Sequence, residues 1–303
     1  MIHDLLAIGH ASWDITMAVS HHPTADEKMV AESLQLSGGG PAANAAVTVT
    51  RLGGSAAFCG YLGDDLFGEA HRQELLAEGV NLTALVQGAY PTPLSQILAT
   101  PDGLRSLVNY KGNRGYLAAN AVAHLPPAKV ILFDGHEPAL SLSSLSWAKQ
   151  NGRKTVLDAG SLHRGTALLA GKVDYLLASS RFASQQCETD DMQLALQQLA
   201  KISPHVVITL GAEGLIWSSA NQQGEMAALT IQAVDSTGAG DAFHGAFALG
   251  LARDMEWFHL LSYASAAAAL TCTRLGARPA LPDAEAVQEL LKESDQLEKR
   301  KYP

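Results

Sequence analysis

Short apolar runs recur along the chain and are separated by longer segments of mixed character. The runs end in glycine or serine, the pattern of buried strands, and they read LLAIG, AAFCG, KVILFDG, KTVLDAG, VDYLLAS and HVVITLG. Several of the intervening segments are long enough for a helix. Repeated strand and helix units predict an α/β fold in which helices cover both faces of a mainly parallel sheet.

Two regions, residues 13–36 and residues 94–110, depart from this rhythm. In the second region, LSQILAT and LRSLVNY alternate apolar and polar residues on either side of the turn PDG, which predicts a β-hairpin. We expect both regions to form a small β-lid on a three-layer α/β/α body. The whole chain, residues 1–303, is then expected to be a single domain.

A glycine-rich segment, SGGGPAANAAV, occupies residues 37–47. Pro41 suits the first position of a helix, Asn44 then lies in its first turns, and Gly53 with Gly54 stops the helix after Arg51. The segment does not fit the dinucleotide fingerprint GxGxxG, and the P-loop string GxxxxGK[ST] does not occur in the chain. Bare backbone beside a polar side chain instead predicts a surface on which a ligand lies against the chain.

A second glycine segment, VDSTGAGDAFHGAFALGL, follows the strand-like LTIQAV. We expect Gly238, Ala239 and Gly240 to form a turn at a helix N-terminus, where backbone amides bind anions. Such amides stabilise charge on a phosphoryl group during transfer, and Asp241 is close enough to accept a proton from an attacking hydroxyl. The structural alternative is that Asp241 complements the positive helix end and the glycines only turn the chain.

Composition narrows the range of partners. The chain has 21 Lys and Arg against 30 Asp and Glu, a net charge of −9, which argues against nucleic acid and anionic membranes as main partners. Its three cysteines, Cys59, Cys187 and Cys272, are far apart. They favour neither a disulfide framework nor a cysteine metal site, and they fit a reducing cytoplasm. No window approaches the roughly 18 uninterrupted apolar residues that indicate a membrane helix.

The two glycine segments together carry a family resemblance. DSTGAGDAFHGAF resembles the C-terminal signature of the ribokinase-like, PfkB-type carbohydrate kinases, and GGGPAANAAVTVTRLGG resembles their N-terminal signature. The resemblance implies transfer of the ATP γ-phosphoryl group, with Mg²⁺, to a hydroxyl of a small-molecule sugar. It implies Asp241 as the catalytic base and Gly238, Ala239 and Gly240 as the anion hole. The implied sugar contacts are Asp14, Gly39, Gly40 and Asn44.

The resemblance extends to nucleotide and cation binding. TLGAEGLIW resembles the nucleotide segment of the family, and CTRLGARPALP stands where members cover adenine and where many bind a monovalent cation. The implied ATP contacts are Thr209, Gly211, Gly214, Gly238 and Gly240. K⁺ is a candidate cofactor, and its candidate ligands are Asp235, Thr237 and Gly276.

One segment departs from the family pattern. Many members carry Asn-x-x-Glu after the strand that corresponds to VDYLLAS, and this motif organises magnesium through water. Here Ser179, Phe182 and Ala183 occupy that region. We therefore expect Mg²⁺ to be held mainly by the ATP phosphates and by water.

The substrate is implied by finer details of the same segments. Both signatures and CTRLGARPALPD look closest to the ketohexose branch of the family, in particular to the sulfofructose kinases. The acidic end of such a ketose needs cations or amide donors. The lid supplies Asn109, Lys111 and Arg114 in NYKGNRG, with Lys28 on its other segment. The alternative for these residues is a solvated basic turn.

Other functions stay open. The chain could be a ribose or nucleoside kinase of the same family, and a nucleoside would need an aromatic sandwich, for which the lid offers Trp13 and Tyr110. A sugar-binding regulator without turnover would keep the fold, although the intact Asp241 and its glycine turn speak against it. A homodimer formed through the β-lid is a further expectation.

Overall fold

The computed structural model describes residues 2–301, and side chains over residues 2–294. The strands are β1 (His3–Ile8), β2 (Ser12–Ala18), β3 (Ser33–Gly39), β4 (Ala56–Cys59), β5 (Tyr61–Gly63), β6 (Val86–Gly88), β7 (Leu94–Ala99), β8 (Arg105–Tyr110), β9 (Ala128–Phe133), β10 (Lys154–Ala159), β11 (Tyr175–Ser179), β12 (His205–Thr209), β13 (Leu215–Ser219) and β14 (Gln222–Met226).

Helices fill most of the intervals between the body strands. They are α1 (Pro41–Arg51), α2 (Leu66–Ala77), α3 (Pro138–Gln150), α4 (Arg164–Leu169), α5 (Ser180–Cys187), α6 (Met192–Leu199), α7 (Ala239–Ala252), α8 (Trp257–Thr271), α9 (Ala277–Ala280) and α10 (Ala284–Lys301). Within residues 2–301, none of them combines the length and the apolar character that crossing a bilayer requires. The three cysteines are free thiols.

The body is built on one large sheet with the strand order β14-β13-β12-β11-β10-β9-β1-β4. The strands from β12 to β4 in this order are parallel, and β13 and β14 add an antiparallel edge. One buried apolar cluster packs α1, α7 and α8 on one face, and a second packs α3, α5 and α6 on the other. The predicted three-layer α/β/α fold is confirmed, and burial on both faces explains why the strands read as continuous apolar runs.

A second sheet, called the lid sheet below, has the order β3-β2-β7-β8 and lies in the two regions where the sequence predicts lid strands. β7 and β8 form the predicted hairpin, and β2 runs parallel to β7. Successive side chains of a strand point to opposite faces. The register therefore puts Asp14, Ser95 and Asn109 on one face, here called the inner face, and Trp13 and Tyr110 on the outer face.

The glycine-rich segment forms α1 over the predicted residues. Pro41 is the first helical residue, and Gly40 before it has φ 95°, a conformation that favours glycine. A Cβ on Gly40 would lie 2.6 Å from the carbonyl oxygen of His10. The glycine is therefore required by the close approach of the connection between β1 and β2.

One predicted strand is wrong. Residues 229–234, LTIQAV, are irregular, and the strand of this region is β14 instead. The backbone N–H of Val234 donates to the carbonyl of Cys272 at 2.7 Å, and Asp235 N–H donates to the same oxygen at 3.2 Å. The backbone at Val234 and Asp235 thus pairs with the end of α8 and not with a strand. The apolar composition of LTIQAV does not reveal this pairing.

Candidate active site

Polar residues collect where the parallel strands of the body end. Asp134 follows β9, Asp158 lies near the end of β10, and Thr209 ends β12. The N-terminal part of α7 reaches the same edge because α7 packs against β1, β9 and β10. In open α/β sheets this edge is where ligands bind.

The glycine turn before α7 is shorter than the sequence predicts. Gly238 caps the helix with φ 80°, and Ala239 and Gly240 are already its first two residues. A Cβ on Gly238 would lie 2.8 Å from the Cβ of Ala277. The amides of the first helical turn have no carbonyl partner inside the helix, and Gly240 is exposed. The Ala239 amide donates to the carbonyl oxygen of Ser236 at 3.3 Å, and the exposed Gly240 amide is the donor that this helix end offers to an anion.

Asp241 and Asn44 bring the two glycine segments into contact. The Asn44 side-chain amide donates to Oδ2 of Asp241 at 2.7 Å, and Asn44 is buried. Burial raises the pKa of Asp241; the hydrogen bond from Asn44 opposes this, and the negative charge of Asp134 adds to it. A carboxyl group with a raised pKa and an open helix end beside it suits a proton acceptor next to an anion site.

Asp14 and the glycines of β3 form one compact unit. Ser12 Oγ donates to Asp14 Oδ1 at 2.9 Å, and a Cβ on Gly39 would lie 2.1 Å from Asp14 Oδ2. The space beside Gly39 that a side chain would fill is thus taken by the Asp14 carboxylate, and the space beside Gly40 by the carbonyl group of His10. Burial raises the pKa of Asp14 to about 6, so the group is ionised at neutral pH and can accept a hydrogen bond from a hydroxyl.

The remaining candidates for substrate binding differ in setting. Asn109 is exposed on the inner face of the lid sheet, in the same row as Asp14, whereas Lys28 is exposed on the loop between β2 and β3. Arg114 forms an ion pair with the buried Glu137, and its guanidinium lies 4.4 Å from the ring centroid of Tyr61. The guanidinium of Arg114 is therefore already engaged by Glu137 and Tyr61 rather than directed to a ligand.

The candidates for nucleotide contact lie at the end of β12. Thr209 is its last residue, and Gly211 begins a short 3₁₀ turn with φ 62°. Gly214 has φ 99°, and a Cβ there would lie 2.0 Å from the carbonyl oxygen of Met226. Gly214 is thus required by the turn into β13, while Thr209 shares the sheet edge with the α7 helix end.

The candidate cation ligands are close together. Asp235 Oδ1 accepts hydrogen bonds from the amide and the hydroxyl of Thr237, at 2.9 and 2.6 Å, and Oδ2 accepts from the Gly276 amide at 2.8 Å. Donors already occupy both oxygens of this carboxylate. The geometry is that of a carboxylate that ties two loops together, and we assign no step of the reaction to a cation there.

The departure from Asn-x-x-Glu has a structural reason. Ser179 caps α5 by accepting from the Phe182 amide at 3.0 Å, and Phe182 and Ala183 belong to the apolar core. Across the residues described, no group of three or more His, Cys, Asp or Glu side chains is arranged to hold a metal ion. The side chains of Phe182 and Ala183 therefore supply no ligand for a magnesium ion.

Arg105 was missed by the sequence reasoning. It lies on β8, and its side chain belongs to the inner face of the lid sheet, like that of Asn109. Its Nη1 donates to Ser236 Oγ at 3.1 Å and to Thr237 Oγ1 at 2.9 Å. Its charge lowers the pKa of Asp241. The lid therefore contributes a guanidinium to the loop that precedes the anion site. Alternation along LRSLVNY puts Arg105 on the same face as Asn109, which is the signal that could have found it.

Three histidines, called the strand-end histidines below, were also missed. The rings of His10 and His136 have centroids 4.9 Å apart, and His136 stacks on His163 at 4.6 Å. The pKa of His136 and that of His163 are both lowered to about 4, mainly by burial and partly by the positive charge of Lys111. Burial lowers the pKa of His10 as well, so all three rings are neutral, and the charge of Lys111 acts on each of them.

Comparison with known proteins adds independent information. The sequence model of one family, described as pfkB family carbohydrate kinase, matches residues 2–284. Ribokinase of Lactococcus lactis is 27% identical over 94% of this chain and 96% of its own, and fructokinase-2 of Oryza sativa is 26% identical over 84% of each. The structure of Arabidopsis thaliana ribokinase complexed with ribose and ATP matches with a TM-score of 0.84 and 25% identity, over 96% of this chain and 99% of its own.

Proposed function

The chain belongs to the pfkB family of carbohydrate kinases and is an ATP-dependent phosphotransferase, and from this premise we propose that it phosphorylates a six-carbon ketose, plain or with an acidic terminus. The relatives include a ribokinase and a fructokinase, so their names alone do not select the acceptor. The contact between Asn44 and Asp241 at the open end of α7 supports the phosphotransfer. The choice of a ketose rests on the resemblance of both signatures and CTRLGARPALPD to the ketohexose branch.

The chemistry follows from these groups. The acceptor hydroxyl loses its proton to Asp241 while its oxygen forms a bond to the γ-phosphorus, and the bond to the bridging oxygen breaks to release ADP. The Gly240 amide stabilises the charge on the transferred group, and the Ala239 amide joins it when its 3.3 Å bond to the Ser236 carbonyl gives way. ATP supplies the phosphoryl group and carries Mg²⁺, and the ATP contacts at Thr209 and Gly211 are part of this proposal.

The far end of the acceptor is proposed to meet the strand-end histidines and Lys111. Neutral imidazoles donate and accept hydrogen bonds, and Lys111 supplies the positive charge that an acidic terminus requires. Asp14 and Asn109 serve hydroxyl groups from the inner face of the lid sheet. Trp13 and Tyr110 belong to the outer face, which weakens the case for a nucleoside that needs both rings as a sandwich.

A coupled assay of ADP release tests the acceptor. The panel contains fructose, sulfofructose, fructose 6-phosphate, ketodeoxygluconate, ribose and adenosine. We expect a six-carbon ketose, plain or with an acidic terminus, to have a higher kcat/KM than ribose and adenosine. A clear preference for ribose or adenosine would overturn the ketose assignment and leave the kinase activity intact. Absence of ADP release with every sugar would favour a binding protein without turnover.

Lys111→Ala and Asn109→Ala probe the acidic terminus. Each variant is expected to raise KM for sulfofructose by about tenfold, the effect of losing one hydrogen bond to a charged group, and to change KM for fructose far less. Lys172→Ala, an exposed lysine away from the lid, is the matched control and should leave both values unchanged. Equal effects on the two sugars would contradict a role at the acidic terminus. Arg114→Ala is expected to act mainly on stability, because it leaves Glu137 buried without its partner.

Assembly through the lid is a further part of the proposal. The outer face of the lid sheet exposes a patch of apolar side chains, here called the outer patch: Leu34, Leu36, Val108 and Tyr110. Exposed apolar patches of this kind mark association sites, and a second copy of the lid is self-complementary in a two-fold dimer.

Val108→Asp tests the dimer. Val108 is 70% exposed, so the charge costs the monomer little, whereas an interface would bury it unpaired. We expect light scattering to report a dimer for the wild type and a monomer for this variant. Leu194→Asp changes an exposed leucine on α6 and should remain dimeric. A monomeric wild type would contradict the proposal. The cytoplasmic location and the K⁺ site remain predictions from the sequence.

A further inference from the structure

Arg278 on α9 is the largest fully buried side chain of the described residues, with 1% of its surface exposed. Its Nε donates to Asn44 Oδ1 at 2.9 Å, its Nη1 lies 3.4 Å from Glu74 Oε1, and its Nη2 lies 3.3 Å from His71 Nε2. A buried cation is costly unless it is paired and hydrogen-bonded. All three partners therefore hold the guanidinium in one direction.

The main chain around Arg278 is held as well. Its carbonyl oxygen accepts a hydrogen bond from Arg51 Nη1 at 2.9 Å, and Arg51 pairs with Glu78 through two hydrogen bonds. Glu74, which pairs with the guanidinium, also accepts from the Gly38 amide at 2.6 Å. Both ends of the Arg278 side chain are thus fixed, so the direction of its Nε–H toward Asn44 is fixed too.

The contacts with Arg278 and Asp241 together decide how the Asn44 amide is oriented. The oxygen and nitrogen of an amide are distinguished by their hydrogen-bond partners. A guanidinium only donates, so the oxygen of Asn44 must face Arg278. The nitrogen then faces Asp241, to which it donates at 2.7 Å. The ionised Asp241 favours the same orientation, because a rotated amide would bring its oxygen against the carboxylate. Arg278 adds to this preference and fixes the position of the amide.

We propose that Arg278 is a positioning residue that acts through Asn44, fixing the amide so that it holds the Asp241 carboxylate in the direction of the acceptor hydroxyl. The inference rests on the proposed role of Asp241 as the base. It has a consequence for the sugar. Arg278 occupies one lone pair of the Asn44 oxygen and Asp241 accepts one of the two N–H groups, so the second N–H of Asn44 is left to donate to a sugar oxygen.

A double-mutant cycle tests whether Arg278 acts through Asn44. Arg278→Met is expected to lower kcat by about 10- to 100-fold, the effect of a small misplacement of a catalytic group, with KM for ATP nearly unchanged. Asn44→Ala should lower kcat at least as much. In the Asn44→Ala background, Arg278→Met should cost less than about threefold more, because residues that act as one unit are not additive.

The pH profile separates positioning from general packing. The charge of Arg278 lowers the pKa of Asp241, so its loss raises that pKa, and the acidic limb of kcat moves to higher pH. Several other groups act on Asp241 and stay in place in the variant. They are Asn44 on α1, Asp14 on β2, Asp134 after β9, Asp158 on β10 and Arg105 on β8. Arg278→Lys keeps a charge and one donor toward Asn44, and should recover part of the lost kcat.

Arg253→Met is the matched control. Arg253 holds the loop after α1 by donating to the carbonyls of Leu52 and Gly53, at the far end of α7 from Asp241. This variant should lower the unfolding temperature without moving the acidic limb or kcat. If Arg278→Met does not fold, Arg278→Lys and Arg278→Gln carry the same cycle.

The outcomes separate the two proposals. Multiplicative losses in the double variant, or an acidic limb that stays in place in Arg278→Met, would overturn the positioning role and leave Asp241 as the base. Near-normal turnover of Asp241→Asn would instead remove the proposed function itself.

Discussion

Replacing Asp241 by asparagine is expected to lower kcat by about 10²- to 10⁴-fold, the range that a positioned general base contributes. Asparagine has nearly the shape of aspartate and can still accept the hydrogen bond from Asn44, so dissociation constants for ATP and for the sugar should be nearly unchanged. Single-turnover kinetics and calorimetric titration measure the two effects separately.

The pH dependence of the same variant gives a second readout. Burial raises the pKa of Asp241 above its ordinary value, and the base must be ionised to accept a proton. In the wild type, kcat should therefore fall as the pH drops through that raised pKa, and the variant should lack this limb. Asp254→Asn is the control, because Asp254 is exposed and lies just beyond the opposite end of α7. This variant should keep both kcat and its acidic limb. Near-normal kcat in Asp241→Asn would contradict the assignment.

Local features of the sequence account for much of the fold and for the two halves of the site. Pro41 at the first helical position and glycines at both ends delimit α1 whatever the rest of the chain does. Gly238 and the apolar run behind Asp241 likewise delimit the start of α7. The apolar runs predict the body strands because both sheet faces are covered.

What the sequence did not reveal depends on contacts between distant segments. Arg105 reaches Ser236 only because the register of β7 and β8 turns it inward. Arg278 becomes a partner of Asn44 only when α9 packs against α1. LTIQAV is the converse case. Its composition favours a strand, but the backbone at its end pairs with the end of α8 and not with a sheet edge. The sequence gives the type of each side chain directly, whereas the residue that it contacts depends on how distant segments come together in the fold.

Arg105→Met is expected to lower kcat/KM by about 10²- to 10³-fold, the effect of removing one preorganised donor from an anion site. The guanidinium spans from the lid sheet to Ser236 and Thr237, directly before the amides of α7. Its Nη1 also lies 3.5 Å from Asp235 Oδ1, and we expect the guanidinium to stabilise the negative charge that develops on the transferred phosphoryl group. Arg105→Lys keeps the charge but loses the planar guanidinium, whose Nη1 makes both hydrogen bonds, and should recover only part of the loss.

The division of the effect between kcat and KM identifies what Arg105 does. If the guanidinium stabilises the transferred phosphoryl group, the loss falls on kcat, because the interaction strengthens in the transition state. If Arg105 only fastens the lid to the body, the loss falls on KM for the sugar and kcat is kept. Arg72→Met, which removes an exposed ion pair with Glu69 on α2, should change neither. We expect a loss in kcat, since Arg105 also lowers the pKa of Asp241 and so acts on the group that takes the proton; a variant with wild-type kcat and raised sugar KM would assign Arg105 to lid closure alone.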